Sequence, residues 1–168
     1  MPRSFDLSAN YRGTVEQVRS AFSDQEYWLS RLADSGADTA TLDSMTVGDD
    51  GTVTVVTTQR LRSDRLPAMV TQFHPHDLEI VRNETWGPVS DGVAHGEVTG
   101  SVRGAPVSLA GTAVLEPTDT GSRLKFTVTV EVNIPLVGGK LETFIGGGLA
   151  ELVAAEQRFT TVWITENA

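Results

Sequence analysis

The sequence predicts an α+β fold in which a curved, seven-stranded antiparallel sheet wraps around one long C-terminal helix. Residues 124–134 alternate strictly between apolar and polar, as in a strand with one buried and one solvent-facing side. The period then changes, and residues 140–164 follow the 3.6-residue repeat of an amphipathic helix. Short turn sequences separate the β-patterned segments of residues 39–134, and short connections join antiparallel neighbours.

The first part of the chain predicts one strand followed by two short helices. Residues 5–11 alternate between apolar and polar, which indicates the first strand. Thr14 and Gln17 have the spacing of a capping box, which starts a helix, and a second helix is expected between Asp24 and Gly36. The side chains expected to face inward are those of Val15, Val18 and Phe22 on the first helix and of Trp28, Leu29, Leu32 and Ala33 on the second.

Six further strands follow, and they complete the sheet. A short helix between the second and third of them is expected to begin at Ser63 or Asp64 and to end near Phe73, at the mouth of a cavity. The sequence contains no internal repeat and no linker, so residues 1–168 are expected to form a single domain. The predicted strands cover residues 39–48, 52–61, 77–86, 93–104, 106–117 and 122–134.

The long helix carries an apolar stripe that would cover the concave face of the sheet. Gly148 and Ala155 lie inside this stripe on a helical projection. Small residues there predict space between helix and sheet, as a ligand cavity requires; alternatively, they only let a neighbouring element come close. The stripe consists of Leu141, Ile145, Leu149, Leu152, Phe159 and Trp163.

The resulting order of strand, two short helices, six strands and one long helix is called a helix grip. Three segments carry a resemblance to known proteins: Asn83–Gly87, Gly104–Pro106 and Ile134–Glu142. Through them the chain resembles the START-like (SRPBCC) superfamily, which also holds birch-pollen allergens, polyketide cyclases and lipid-transfer proteins. It more closely resembles a bacterial branch that carries a domain of unknown function. The resemblance implies a cavity for an apolar or amphipathic small molecule, but fold alone does not identify that molecule.

Composition narrows the possible functions. The net charge of −9 and the scattered arginines disfavour binding to nucleic acid or to an anionic membrane surface. Because the chain has no cysteine, disulfides, thiolate nucleophiles and cysteine-ligated metals are excluded. No apolar run approaches the roughly 20 residues of a membrane span, and the N-terminus lacks a signal-peptide pattern. A cytoplasmic monomer or weak dimer without a cofactor is therefore expected.

Glu156 is the polar residue of greatest interest, because it falls beside the apolar stripe. Burial would raise the pKa of its carboxyl unless a cation such as Arg82 or Arg103 reaches it. It would then orient a ligand hydroxyl or act as an acid–base group; alternatively, it reaches solvent at the edge of the stripe. The residues predicted to line the ligand site are Trp86, Phe126, Val128, Val130, Ile145, Leu149, Leu152, Glu156 and Phe159.

Other motifs give weaker indications. The sequence Gly138-Gly139-Lys140 lacks the first glycine and the final Ser or Thr of a phosphate loop. The glycines at 146–148 lie inside the predicted helix, where we expect a bend or a close approach to a neighbour. The histidines at 74 and 76 lack a third converging ligand, so no metal site is expected. His95 and Glu97 are expected on the outer face of the sheet; if the strand faces the other way, they would line the cavity and form a cyclase-like acid–base site.

Three functions therefore remain open from the sequence. The first is the binding of a lipid, a polyketide or an isoprenoid-like compound in an internal cavity. The second is a cyclase or hydrolase that uses Glu156 with an arginine or histidine of the same cavity. The third is a protein-interaction module that acts through the outer face of the sheet.

Overall fold

The computed structural model describes residues 2–167 and contains the predicted antiparallel sheet of seven strands. The strands are β1 (Arg3–Tyr11), β2 (Thr39–Val47), β3 (Val53–Leu61), β4 (Leu78–Trp86), β5 (Ala94–Val102), β6 (Val107–Thr118) and β7 (Gly121–Val132). The helices are α1 (Val15–Phe22), α2 (Gln25–Ala33), α3 (Ala68–Thr71) and α4 (Gly138–Glu166). A short 3-10 turn, Ser63–Arg65, precedes α3.

The strand order is β1-β7-β6-β5-β4-β3-β2, so β1 and β2 form the two edges of the sheet. Consecutive strands from β2 to β7 pair in sequence order, whereas β1 pairs with the last strand. The helices α1 and α2 connect the two edges, and α4 packs across β1 and β7 on the concave face. The α+β helix-grip fold predicted from the sequence is therefore confirmed.

The junction between β7 and α4 is fixed by backbone contacts. The strand ends at Val132, two residues earlier than predicted, and the helix begins at Gly138. A Cβ atom at Gly138 would lie 2.4 Å from the carbonyl oxygen of Val132, so only glycine fits there. The buried carboxylate of Glu142 accepts a hydrogen bond from the backbone N–H of Val132 at 2.9 Å. The first turn of α4 is thus held against the end of the strand.

The predicted capping box is present, but part of the predicted inner face of α2 is wrong. Thr14 and Gln17 exchange both hydrogen bonds of the box. On α2, Leu29 is 41% exposed and Ala33 is also exposed, whereas Tyr27 is fully buried. The buried face runs through positions 27, 28 and 32, which places residues 29 and 33 toward solvent by helical geometry.

Arg19 ties α1 to two turns of the sheet. Its guanidinium donates hydrogen bonds to the carbonyl oxygens of Gly87 at 2.7 Å, Trp86 at 3.2 Å and Gly51. The side chain is buried, and desolvation lowers the pKa of the guanidinium from its ordinary value. One buried guanidinium thereby serves as donor to three backbone carbonyl groups of the sheet and its turns.

The edge strand β2 is interrupted by a bulge at Asp43. Its pairing register with β3 shifts between Leu42 and Ser44. The carboxylate of Asp43 accepts hydrogen bonds from the hydroxyl of Thr41 at 2.8 Å and from that of Thr58 on β3. These bonds hold the extra residue in place and lower the pKa of the Asp43 carboxyl.

Candidate ligand-binding site

A cavity of about 460 Å³ lies between the sheet and α4. The inner faces of β4–β7 form one wall, and the middle of α4 forms the other. The turn Gly104–Pro106 and the segment Val70–His74 border one end. Phe73 and Phe144 border the cavity and are 39% and 44% exposed, which marks this end as the opening. The predicted location of Phe73 near the cavity mouth agrees with this arrangement.

Seven of the nine residues selected from the sequence border this cavity: Trp86, Phe126, Val130, Ile145, Leu149, Leu152 and Glu156. Val128 is fully buried and does not border it. Val128 pairs with Phe5 of β1, and the Phe5 ring packs against Gly146 of α4, so helix and sheet meet there without a gap. Phe159 borders a second pocket of about 70 Å³ instead.

The origin of the empty space differs from the one inferred from the sequence. Gly148 is exposed, faces open space and borders neither pocket. Ala155 is also exposed and borders the smaller pocket only. The expectation that small residues of the helix create the main cavity is therefore wrong, because both residues lie rotated away from the helix face that meets the sheet.

Small residues of the sheet lie along the main cavity. Gly100 and Ala113 border it directly. A Cβ atom at Gly96 would lie 2.6 Å from Cε3 of Trp86, and one at Gly111 would lie 2.5 Å from Cε1 of Phe126. These glycines let both rings lie against the sheet. The sequence signal for this arrangement is the presence of glycine at inward-facing positions of β5 and β6.

The glycines of α4 divide into two kinds. A Cβ atom at Gly146 would lie 2.3 Å from the Phe5 ring, whereas Gly147 and Gly148 have no neighbouring atom within 4 Å of that position. Gly146 therefore permits the close approach to a neighbour that was one of the two expected reasons for the run. The other two glycines face open space.

Four charged side chains, Arg31, Arg82, Glu84 and Glu156, meet at the boundary between the two pockets; we call them the charge cluster. Glu156 Oε2 lies 2.5 Å from Nη2 of Arg31 and 2.8 Å from Nη1 of Arg82. Glu84 Oε2 lies 3.1 Å from Nη2 of Arg82 and 3.8 Å from Nη2 of Arg31. Arg82, Glu84 and Glu156 border both pockets, and Arg31 borders the smaller one.

Arg31 and Arg82 keep the carboxyl group of Glu156 ionised. Burial by itself would raise the pKa of its carboxyl, but the charges of Arg31 and Arg82 outweigh burial and lower the pKa to about 2. Arg82 is thus one of the two cations considered from the sequence, whereas Arg103 pairs with Glu79 at the surface. At neutral pH Glu156 is a carboxylate held between two guanidinium groups.

Arg31, which α2 supplies to the charge cluster, is not among the residues predicted from the sequence. Its guanidinium carbon lies 4.8 Å from the centre of the Trp28 ring and 5.9 Å from that of Tyr27. The Tyr27 hydroxyl lies 2.6 Å from Oγ1 of Thr160 on α4, which fixes the ring under the arginine. The available signal was the i, i+3 and i, i+4 spacing of Arg31 from these two aromatic residues.

The remaining motifs do not form a second site. His74 borders the cavity and packs edge-on against His76, with ring centres 5.7 Å apart. Among residues 2–167, no group of three or more His, Cys, Asp and Glu side chains is arranged to hold a metal ion. His95 and Glu97 lie on the exposed face of β5, as expected. In the same part of the chain, no helix has the length and apolar character needed to cross a membrane.

Solved structures with a similar fold cover nearly the whole chain at low sequence identity. The protein TTHA0849 from Thermus thermophilus has a TM-score of 0.63 at 14% identity, with 99% of both chains covered. Norcoclaurine synthase from Thalictrum flavum, solved in complex with dopamine and hydroxybenzaldehyde, has a TM-score of 0.54 at 14% identity. That comparison covers 100% of this chain and 89% of the synthase. These similarities show a shared helix-grip fold.

Closer relatives are mycobacterial proteins that align with this chain along almost their whole length. The uncharacterized protein Rv0481c of Mycobacterium tuberculosis (strain H37Rv) is 54% identical over 173 residues, which cover 99% of each chain. The family described as "Protein of unknown function (DUF2505)" matches residues 6–164. The resemblance to a bacterial family of unknown function is confirmed, and the helix-grip fold is shared with the solved structures: the chain belongs to the DUF2505 family.

Proposed function

We propose that the protein binds one apolar or amphipathic small molecule, such as a lipid, a polyketide or an isoprenoid-like compound, in the cavity between the sheet and α4. The observation that carries this proposal is the cavity itself, whose volume of about 460 Å³ falls within the roughly 300–1,000 Å³ of ligand sites. Its walls are mainly aliphatic and aromatic, with the charge cluster at one side.

Energetics support a ligand in this space. Aliphatic side chains that line an empty cavity lose packing contacts, and the folded state is less stable for it. Water gains little in such a space, because most of the lining offers no hydrogen-bonding partner. An apolar molecule restores the missing contacts, and it enters at the end where Phe73 and Phe144 are exposed.

The charge cluster argues against the acid–base alternative. A general acid must be protonated near the working pH, and a carboxyl with a pKa of about 2 is neither protonated there nor a strong base. A protein-interaction module would need an apolar patch on the outer face of the sheet. On β5 the outward residues are polar: His95, Glu97, Thr99 and Ser101. Binding is therefore the function that we favour.

Native mass spectrometry of gently purified protein, compared with delipidated protein, tests this proposal. Delipidated protein should also take up the neutral fluorescent probe N-phenyl-1-naphthylamine with one-to-one stoichiometry. Leu149→Trp places a larger side chain in the cavity wall and should abolish uptake. Ala150→Trp, at an exposed position of the same helix, should leave uptake unchanged. Absence of both a bound molecule and probe uptake would contradict the proposal.

A further inference from the structure

We propose that the charge cluster is the head-group site of the cavity and that it selects an uncharged head group that donates a hydrogen bond, such as a primary alcohol or a primary amide. This inference rests on the proposed function. It names the class of ligand: an apolar body of extended shape with a neutral donor at its inner end.

The two carboxylate oxygens of Glu156 are used unequally. Oε2 receives Nε of Arg31 at 3.2 Å, Nη2 of Arg31 at 2.5 Å and Nη1 of Arg82 at 2.8 Å. Within residues 2–167, Oε1 has one protein donor in range, Nη2 of Arg82 at 3.5 Å. A carboxylate oxygen accepts two hydrogen bonds readily, so Oε1 has capacity for a donor from the ligand.

Glu156 is also the member of the charge cluster that is most accessible to a ligand. Its side chain is 22% exposed, compared with 15% for Arg82, 11% for Arg31 and 5% for Glu84. Glu156 borders the main cavity, whereas Arg31 does not. Arg82 also borders the main cavity, but its side chain is less exposed than that of Glu156, so the carboxylate of Glu156 is the more accessible of the two to a ligand.

The charge balance disfavours ionised head groups. Two guanidinium groups and two carboxylates sum to zero net charge. A carboxylate head group would add an uncompensated negative charge in an apolar cavity, which is unfavourable. An ammonium head group would lie beside two guanidinium groups, whose positive charges would repel it. A neutral donor adds no charge and satisfies Oε1 of Glu156.

Both Nη groups of Arg82 are already paired with carboxylates, which disfavours an anion further. Arg82 directs Nη1 to Glu156 and Nη2 to Glu84 at 3.1 Å. An anionic ligand would have to displace one of these carboxylates, and Glu84 is more deeply buried than Glu156. The site therefore offers the ligand a hydrogen-bond acceptor, Oε1 of Glu156, whereas both arginines are paired with carboxylates.

The cavity also sets the orientation of the ligand. Phe144 marks the opening, and the rise of 1.5 Å per residue places Glu156 about 18 Å further along α4. Leu78 near the opening and Glu84 are separated by about 20 Å along β4 at 3.3 Å per residue. Both walls therefore accommodate an extended chain of this length, with its head group at the cluster and its tail at the opening.

Four dodecyl compounds with different head groups test the inference on the wild-type protein, by displacement of N-phenyl-1-naphthylamine below their micellar concentrations. Dodecanol is a neutral donor, dodecyl methyl ether is a neutral acceptor, dodecanoate is an anion and dodecylammonium is a cation. We expect dodecanol to bind about tenfold more tightly than the ether, since a hydrogen bond to a charged group is lost in the ether. Both ionised compounds should bind more weakly than dodecanol.

The outcomes separate the inference from the proposed function. Equal affinity for all four compounds would overturn head-group selection but leave cavity binding intact. Tightest binding of dodecanoate or dodecylammonium would also overturn the inference. If neither the probe nor any dodecyl compound binds, the proposed function itself fails.

A variant adds a second measurement. Glu156→Gln removes one negative charge, so the cluster carries a net positive charge and the preference should shift from dodecanol to dodecanoate by about tenfold or more. Glu151→Gln, at an exposed position of α4 that borders neither pocket, is the matched control and should keep the wild-type order. A Glu156→Gln protein that folds, as judged by circular dichroism, and still prefers dodecanol would contradict the inference.

Discussion

Replacing Arg82 by methionine would remove one cation from the charge cluster while keeping much of the side-chain length. The lowered pKa of Glu156, about 2 instead of 4.5, corresponds to about 3 kcal/mol of folding free energy. Arg31 and Arg82 supply this together, so the loss of Arg82 removes about half of it. Glu84 loses its partner at 3.1 Å and adds a comparable amount. We therefore expect Arg82→Met to lower the free energy of unfolding by about 3 kcal/mol at neutral pH.

The destabilisation of Arg82→Met comes from uncompensated negative charge, which a second substitution can relieve. In the double variant Arg82→Met/Glu156→Met, the remaining Arg31 and Glu84 balance each other. We expect the double variant to be more stable than Arg82→Met alone, by about 1.5 kcal/mol. Urea denaturation followed by circular dichroism at neutral pH measures both values.

A surface arginine provides the control. Arg103 pairs with Glu79 at 3.6 Å, and their side chains are 64% and 41% exposed. Arg103→Met should change the free energy of unfolding by no more than about 0.5 kcal/mol. A loss of similar size in Arg82→Met and Arg103→Met, or additive losses from the two substitutions in the double variant, would refute the electrostatic account of the cluster.

The Glu156 carboxylate stabilises the fold above its ordinary pKa of 4.5 and loses this contribution as the pH falls toward 2. The difference in unfolding free energy between wild type and Glu156→Gln should therefore shrink by about 3 kcal/mol between pH 7 and pH 2. An unchanged difference would contradict this. Gly138→Ala should lower the free energy of unfolding by about 2 kcal/mol, because its Cβ atom would lie 2.4 Å from the Val132 carbonyl oxygen. Gly147→Ala, which faces open space, should raise the free energy of unfolding by up to about 1 kcal/mol. Thermal denaturation that ranks the two variants the other way would contradict this packing. Tyr27→Phe removes one of the two hydrogen bonds of the Thr160 hydroxyl, the one at 2.6 Å, and leaves its bond to the Glu156 carbonyl oxygen. We expect a cost of about 1 kcal/mol in urea titrations, and no loss of stability would contradict this.

The sheet and the long helix could be predicted because local pattern and tertiary packing agree there. Residues 124–134 alternate in the sequence, and the inward residues of β7 from Phe126 to Val132 are buried. The end of β7 could not be placed, because alternation continues to Ile134 while the backbone at Gly138 turns back against Val132. Periodicity describes a strand's faces better than its end.

The cavity and the state of Glu156 depend on contacts distant in sequence. A helical projection treats α4 as an isolated cylinder, so it placed Gly148 in the stripe that meets the sheet. The structure turns that residue to solvent, whereas small residues of the strands, Gly100 and Ala113, border the cavity. Likewise, Arg31 and Glu156 are 125 residues apart, and only the fold brings this cation to the carboxylate.

The bulge at Asp43 has a consequence for how copies of the protein meet. A foreign strand that docked along β2 would find hydrogen-bonding groups in step on one side of the bulge and out of step on the other. It would also have to approach a carboxylate already bonded to two threonine hydroxyls. Growth of the sheet from molecule to molecule is thereby discouraged at this border, even in a crowded solution.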